Sequence, residues 1–133
     1  FKTKSRINST WGGNLTDMVR FQRFLEIIEE DRLVENARVV GEHLLAGLRG
    51  IEAEFPSLVS NSRGRGLMIA FDTAADSRKA LLAKCFEHGM LALPCGSRSV
   101  RFRPPLTLTR SEADQGLDIL RRALQSLPGG AQK

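Results

Sequence analysis

Apolar side chains recur at steps of three and four from Leu15 onward. Leu15, Met18, Val19, Phe21, Leu25 and Ile28 form one series, and Arg20, Arg23, Glu26, Glu29 and Glu30 decorate the other side. This spacing predicts a helix opening after Asn14, a good N-cap residue, with Asp17 at the following capping-box-like position. The run Glu29-Glu30-Asp31 is unfavourable at a helix C-terminus, where the macrodipole prefers cations. It is therefore expected to begin a second helix, capped by Asp31, with Leu33, Ala37, Val40, Leu44, Leu48 and Ile51 as its apolar face. Phe55-Pro56 ends that helical region, because proline removes a donor and disfavours helix at the residue before it.

Beyond Pro56 the pattern changes. A short polar turn leads into Arg63-Gly64-Arg65-Gly66, and then into the compact apolar run Leu67 to Phe71, which reads as a buried strand. Asp76 or Ser77 caps a third helix with Leu81, Leu82, Cys85 and Phe86 inward and Gly89 as its stop. Met90 to Leu93 reads as a second strand, 94–99 as a turn, and Val100 to Phe102 as a third strand halted by Pro104-Pro105. Thr109 and Glu112 form a capping box for a last helix, with Ala113, Gly116, Leu117, Leu120 and Leu124 inward. Helices separating a few short strands imply an α+β class, a small antiparallel or mixed sheet covered by helices. The expected division is the end of a preceding domain and an interdomain helix at 1–30, a C-terminal small domain at 31–128 and a flexible tail at 129–133.

Composition narrows the function classes. The chain has 133 residues, enough for one modest domain with its own core. It holds no apolar run of about 18 residues, so no membrane span is expected, and no signal peptide is visible. Net charge is +5, but the basic residues are scattered apart from 63–65 and 98–103, and there is no tyrosine. Base stacking needs aromatic side chains interleaved with the cations, so nucleic acid is not an expected partner. Cys85 and Cys95 lack metal or redox spacing and fit buried roles in a reducing, cytoplasmic setting. His43 and His88 read as surface or helix-end residues, and Asp114 and Asp118 as a solvated face beside Arg121 and Arg122. No metal site is expected.

Two segments carry candidate chemistry. Ser9-Thr10-Trp11-Gly12-Gly13-Asn14 puts two hydroxyls and two glycines immediately before a helix. Such a loop is either an ordinary helix-entry turn or a phosphate cradle built from hydroxyls and backbone N–H groups. In Val100-Arg101-Phe102-Arg103-Pro104-Pro105-Leu106, strand alternation sets Arg101 and Arg103 on the face opposite Val100 and Phe102. Arg101 is either one half of a surface ion pair or a two-pronged receptor for a carboxylate, made stiff by the prolines that follow.

With these two segments in this order, and Arg63 to Met68 (R-G-x-G-L-M) between them, the chain resembles the class III pyridoxal-phosphate-dependent aminotransferases over essentially its whole length. Trp11 and the string R-F-R-P-P-L-T look most like the lysine 6-aminotransferase branch. The resemblance implies the C-terminal small domain of the fold-type-I transferases. It implies pyridoxal 5'-phosphate as cofactor, with Ser9 and Thr10 on its phosphate, across the interface of a homodimer. Arg101 is implied as the substrate-carboxylate residue, and Arg63 to Met68 takes no binding role. The implied reaction moves a terminal amino group, that of L-lysine, to 2-oxoglutarate. In the family the Schiff-base lysine lies a short way before the S-T-x-G-G-N loop. None of Lys2, Lys4, Lys79, Lys84 and Lys133 has that setting, so no catalytic residue is expected here and the chain alone should be inactive. Two other readings stand beside this one: a free-standing basic module for RNA or an anion, and a non-catalytic dimerisation domain.

Overall fold

In the computed structural model, residues 10–74 and 77–130 are described. The chain forms two compact units, Phe1–Leu33 and Val34–Lys133.

In the first unit a turn at 10–13 leads into helix α1, Leu15–Glu30. Asn14 caps it as expected, its Oδ1 accepting the N–H groups of Thr16 at 2.9 Å and Asp17 at 3.3 Å. The far end corrects the sequence expectation. Asp31 closes α1, its N–H donating to the Ile27 carbonyl at 3.0 Å, so Glu29 and Glu30 finish the first helix rather than start the second. Arg23 explains how the acids are tolerated there. Its guanidinium lies 3.0 Å from Glu26 and 3.1 Å from Glu30, setting a cation beside the unfavourable end. No α1 residue is fully buried.

The remaining elements are α2 (Leu33–Glu54), β1 (Val59–Arg65), β2 (Met68–Thr73), α3 (Ser77–Glu87), β3 (Leu93–Cys95), β4 (Ser99–Phe102) and α4 (Arg110–Gln125). The sheet order is β1-β2-β4-β3, and every neighbouring pair is antiparallel. Its inward face carries Val59, Ile69, Phe71 and Val100. These share one core with Val40, Leu44, Leu48 and Ile51 of α2, Leu81 and Cys85 of α3, and Ala113, Leu117, Leu120 and Leu124 of α4. The α4 capping box forms as predicted from Thr109 and Glu112.

Three further expectations change. Val59 to Ser62, expected to lie in a polar turn, belong with Arg63 to Arg65 to strand β1. Val59 is its only buried residue, so the apolar alternation that marks a strand is missing. It is an edge strand with a bulge between Ser60 and Arg63, where Asn61 adopts φ 55°. The Glu52 carboxylate holds this bulge by accepting the N–H groups of Asn61 at 2.9 Å and Ser62 at 3.0 Å. Strand β3 lies at 93–95 rather than 90–93, because Gly89 and Met90 complete the end of α3. Gly89 N–H donates to the Phe86 carbonyl at 2.9 Å, and Met90 N–H to that of Cys85 at 2.8 Å, with Gly89 at φ 88°. Phe86, expected inward, is exposed.

One close approach sets α2 against the β1–β2 turn. A Cβ on Gly41 would land on the Gly66 carbonyl and 2.7 Å from its Cα. Gly41 and Gly66 thus let the helix and turn backbones touch.

Candidate functional site

Strand β4 sits between β2 and β3, and Arg101 pairs with Ala70 on one side and Leu93 on the other. Cross-strand partners share a face, so Arg101 stands beside two small or apolar side chains, opposite the buried Val100. It is half-buried, and its Nε is fully shielded, with no hydrogen-bond partner among the described residues. A buried donor left unpaired carries a desolvation cost that a ligand oxygen would relieve. Arg101 lines a cleft of about 300 Å3, together with Leu93, Phe102, Arg103 and Leu108 among others. Arg103 also lines it, from an exposed position. The arrangement suits a carboxylate joined to a short apolar body: guanidinium for the charge, aliphatic walls for the chain.

Both ends of β4 are held by side chains that the sequence reading missed. At its start, Ser99 Oγ donates to Asp72 Oδ1 at 2.5 Å. Asp72 is buried and also accepts from Asn61 Nδ2 and Arg63 Nη1, each at 3.0 Å, with Arg98 at 3.4 Å. The Ser99 and Asn61 hydrogen bonds, aided by Arg63, hold the Asp72 carboxyl down at about 2. Its signal in the sequence is a lone acid inside the strand Met68–Thr73, set between Phe71 and Thr73. At the far end, Asn36 of α2 donates through Nδ2 to the carbonyls of Leu106 at 2.7 Å and Leu108 at 3.0 Å. These groups are 70 and 72 residues away along the chain, so no local pattern could reveal the pairing.

Thr10 is exposed in the turn ahead of α1, where Asn14 N–H donates to the Trp11 carbonyl at 3.1 Å. Ser9 lies outside the described residues. Gly13 adopts φ 81° with open space around it. Because Asn14 already takes the amides of Thr16 and Asp17, an anion here would meet the Thr10 hydroxyl and loop amides rather than those two helix donors. The turn is open and presents the Thr10 hydroxyl to solvent. Thr10 and Arg101 belong to the two separate units.

Other candidates resolve into packing. His43 Nε2 lies 2.5 Å from Asp114 Oδ1, bridging α2 and α4, so neither is a purely solvated residue. Arg121 is shared by Glu54 at 2.8 Å and Asp118 at 3.0 Å. Lys84 pairs with Glu87 at 2.7 Å. Burial pushes the Cys85 thiol up to about 11, away from nucleophilic chemistry, and Cys95 is half-buried on β3. Among the described residues no group of three or more His, Cys, Asp or Glu could hold a metal, and no helix is long and apolar enough to cross a membrane.

Known proteins resemble this chain in sequence and in fold. The L-lysine-epsilon aminotransferase of Amycolatopsis lactamdurans is 49% identical over 128 residues, which is 95% of this chain and 28% of that protein. The structure of lysine aminotransferase from M. tuberculosis in the internal aldimine form superposes with a TM-score of 0.82 at 46% identity, covering 92% of this chain and 28% of that one. A PLP-bound amine transaminase from an uncultivated Pseudomonas species superposes with a TM-score of 0.79 at 30% identity, covering 90% and 29%. The chain thus spans little more than a quarter of the length of these relatives. The profile of the family Aminotransferase class-III matches residues 1–124, and with that match the chain belongs to the class III aminotransferases, enzymes that depend on pyridoxal 5'-phosphate.

Proposed function

We propose that this chain is the C-terminal part of an aminotransferase that takes the 6-amino group of L-lysine and delivers it to 2-oxoglutarate, working as a cytoplasmic homodimer. The observation that carries the reading is Arg101: a guanidinium in an apolar cleft, its Nε shielded and without a partner among the described residues. Lysine as donor is supported by the greater identity to the lysine aminotransferases, 46–49%, than to the amine transaminase, 30%.

When bound, the cofactor supplies the electron sink for the amino-transfer chemistry. The residues here bind and orient. Thr10, with Ser9, holds the cofactor phosphate, acting across the dimer interface on the neighbouring subunit's site. Arg101 receives a substrate carboxylate within its own subunit and fixes the reacting carbon relative to the cofactor. The proton-transfer and Schiff-base lysine belongs to the rest of the enzyme, so the chain alone is inactive. The RNA- or anion-binding module and the non-catalytic dimerisation domain draw no support from the family match.

The test is Arg101→Ala in the complete enzyme. Losing one partner of a desolvated charge pair costs about 2–5 kcal/mol. kcat/KM for the lysine and oxo-acid half-reactions should therefore fall by roughly thirtyfold or more, with cofactor affinity unchanged. Full restoration of activity by excess cofactor would overturn the assignment.

A further inference from the structure

Among the described residues nothing anchors the Arg101 guanidinium through its Nε. Its position therefore follows from where the backbone of β4 and its exit place it. The start of β4 is secured by Ser99 on Asp72 and by pairing to both neighbours. The exit differs. Strand pairing stops at Phe102, and 103–109 runs without helix or strand through two prolines. Leu108 N–H closes a turn on the Pro105 carbonyl at 3.1 Å. Leu108 packs against the core, and the turn's side-chain hydrogen-bond tie to the body is the Asn36 amide, whose two N–H groups hold the Leu106 and Leu108 carbonyls. Pro104 and Leu108 line the same cleft as Arg101. Asn36 is half-buried on the first turns of α2, and Val40, four residues on, is in the core, so its base is rigid.

We infer that Asn36 is a positioning residue for the carboxylate site: it fixes the 103–108 turn, and through it the cleft wall and the aim of Arg101. The inference rests on the reading of Arg101 as the carboxylate receptor. Asparagine suits the task because one carboxamide nitrogen offers two donors to two carbonyls. Aspartate has the same shape and no donor.

The experiment uses the complete, cofactor-saturated enzyme carrying Asn36→Asp, Asn36→Ala, Asn36→Gln or Arg101→Ala. Glutarate, a dicarboxylate that cannot accept an amino group, serves as competitive inhibitor against 2-oxoglutarate. Asn36→Asp and Asn36→Ala should raise the glutarate inhibition constant and the oxo-acid KM by roughly tenfold, about the loss of one well-made hydrogen-bonding group. kcat should stay within about threefold and cofactor affinity should be unchanged; Asn36→Gln should recover part of the loss. The inference is overturned if glutarate inhibition is unchanged in the Asn36 variants while Arg101→Ala weakens it. It is equally overturned if kcat, cofactor affinity and inhibition decline together, or if neither the Asp nor the Ala variant folds, since Asn36 would then serve the fold alone. If Arg101→Ala leaves glutarate inhibition intact, the Arg101 reading itself fails, and the inference with it.

Discussion

Arg101 and Arg103 have the same chemistry two positions apart, and both line the cleft. They differ in burial: Arg101 is half-buried with a shielded Nε, whereas Arg103 is exposed. Water competes for an exposed guanidinium, so contacts made by Arg103 should be worth little. Arg103→Ala is expected to change kcat/KM by less than about threefold, against the much larger loss at Arg101. Arg101→Lys should recover little, because an ammonium cannot make the two parallel hydrogen bonds. Steady-state kinetics with both substrates checks this, and equal damage at the two arginines would refute it. Thr10→Ala should act on a different quantity. On the proposed reading it removes a hydroxyl from the cofactor phosphate, a contact of about 1.5–3 kcal/mol. Cofactor affinity should drop roughly ten- to a hundredfold, with turnover returning at saturating cofactor.

Elements depend on contacts between segments distant in sequence. Strand β1 exists because β2 lends it a partner and Glu52 of α2 holds its bulge, and β4 is pinned to both through Asp72. The Asp72 carboxyl has its pKa depressed from 3.8 to about 2 in the folded chain. A depressed carboxyl stabilises the fold above its unfolded pKa, and the contribution is lost as pH falls through the folded value. Acid unfolding should therefore show a component between about pH 4 and pH 2 that Asp72→Asn removes, at the expense of stability near neutrality. Chemical denaturation of wild type and variant at pH 3 and pH 7 would show it, and an unchanged stability difference across that range would refute it. The contact between α2 and the β1–β2 turn is steric. Gly41→Ala drives a methyl into the Gly66 backbone and should destabilise by about 1–3 kcal/mol, although alanine favours helix. A thermal melt that rises instead would show that the turn can yield.

On the scale of the whole molecule, the first unit carries a large apolar surface. Trp11, Leu15, Met18, Val19, Phe21, Phe24 and Leu25 are each at least 47% exposed. Clusters of exposed apolar side chains mark interaction sites. Prepared alone, the chain is expected to self-associate as concentration rises, and sedimentation showing a monomer throughout the micromolar range would contradict this. The isolated chain should also yield no borohydride-trapped cofactor on Lys79 or Lys84. A stoichiometric adduct there would relocate the chemistry.

What the sequence determined by itself was local. Asn14 and Thr109 were readable as caps because a cap needs only a side chain and amides two or three residues on. The α2 and α4 faces were readable because helical period is written in consecutive residues, and Gly89 because a left-handed helix end requires so little else. Arg101 stood out because strand alternation and two prolines are also local, and the order of the three motifs was enough to suggest the family. Tertiary structure alone decided the rest. The acidic end of α1 is tolerated where Arg23 reaches Glu30, β1 pairs despite its polar surface, and β3 moves because α3 needs two more residues to end. The support of the candidate site is wholly of this second kind. Asp72 draws on Asn61, Arg63 and Ser99, and Asn36 reaches across 70 residues. A hydrogen bond needs only proximity in space, and folding brings together groups whose sequence separation carries no trace of their partnership.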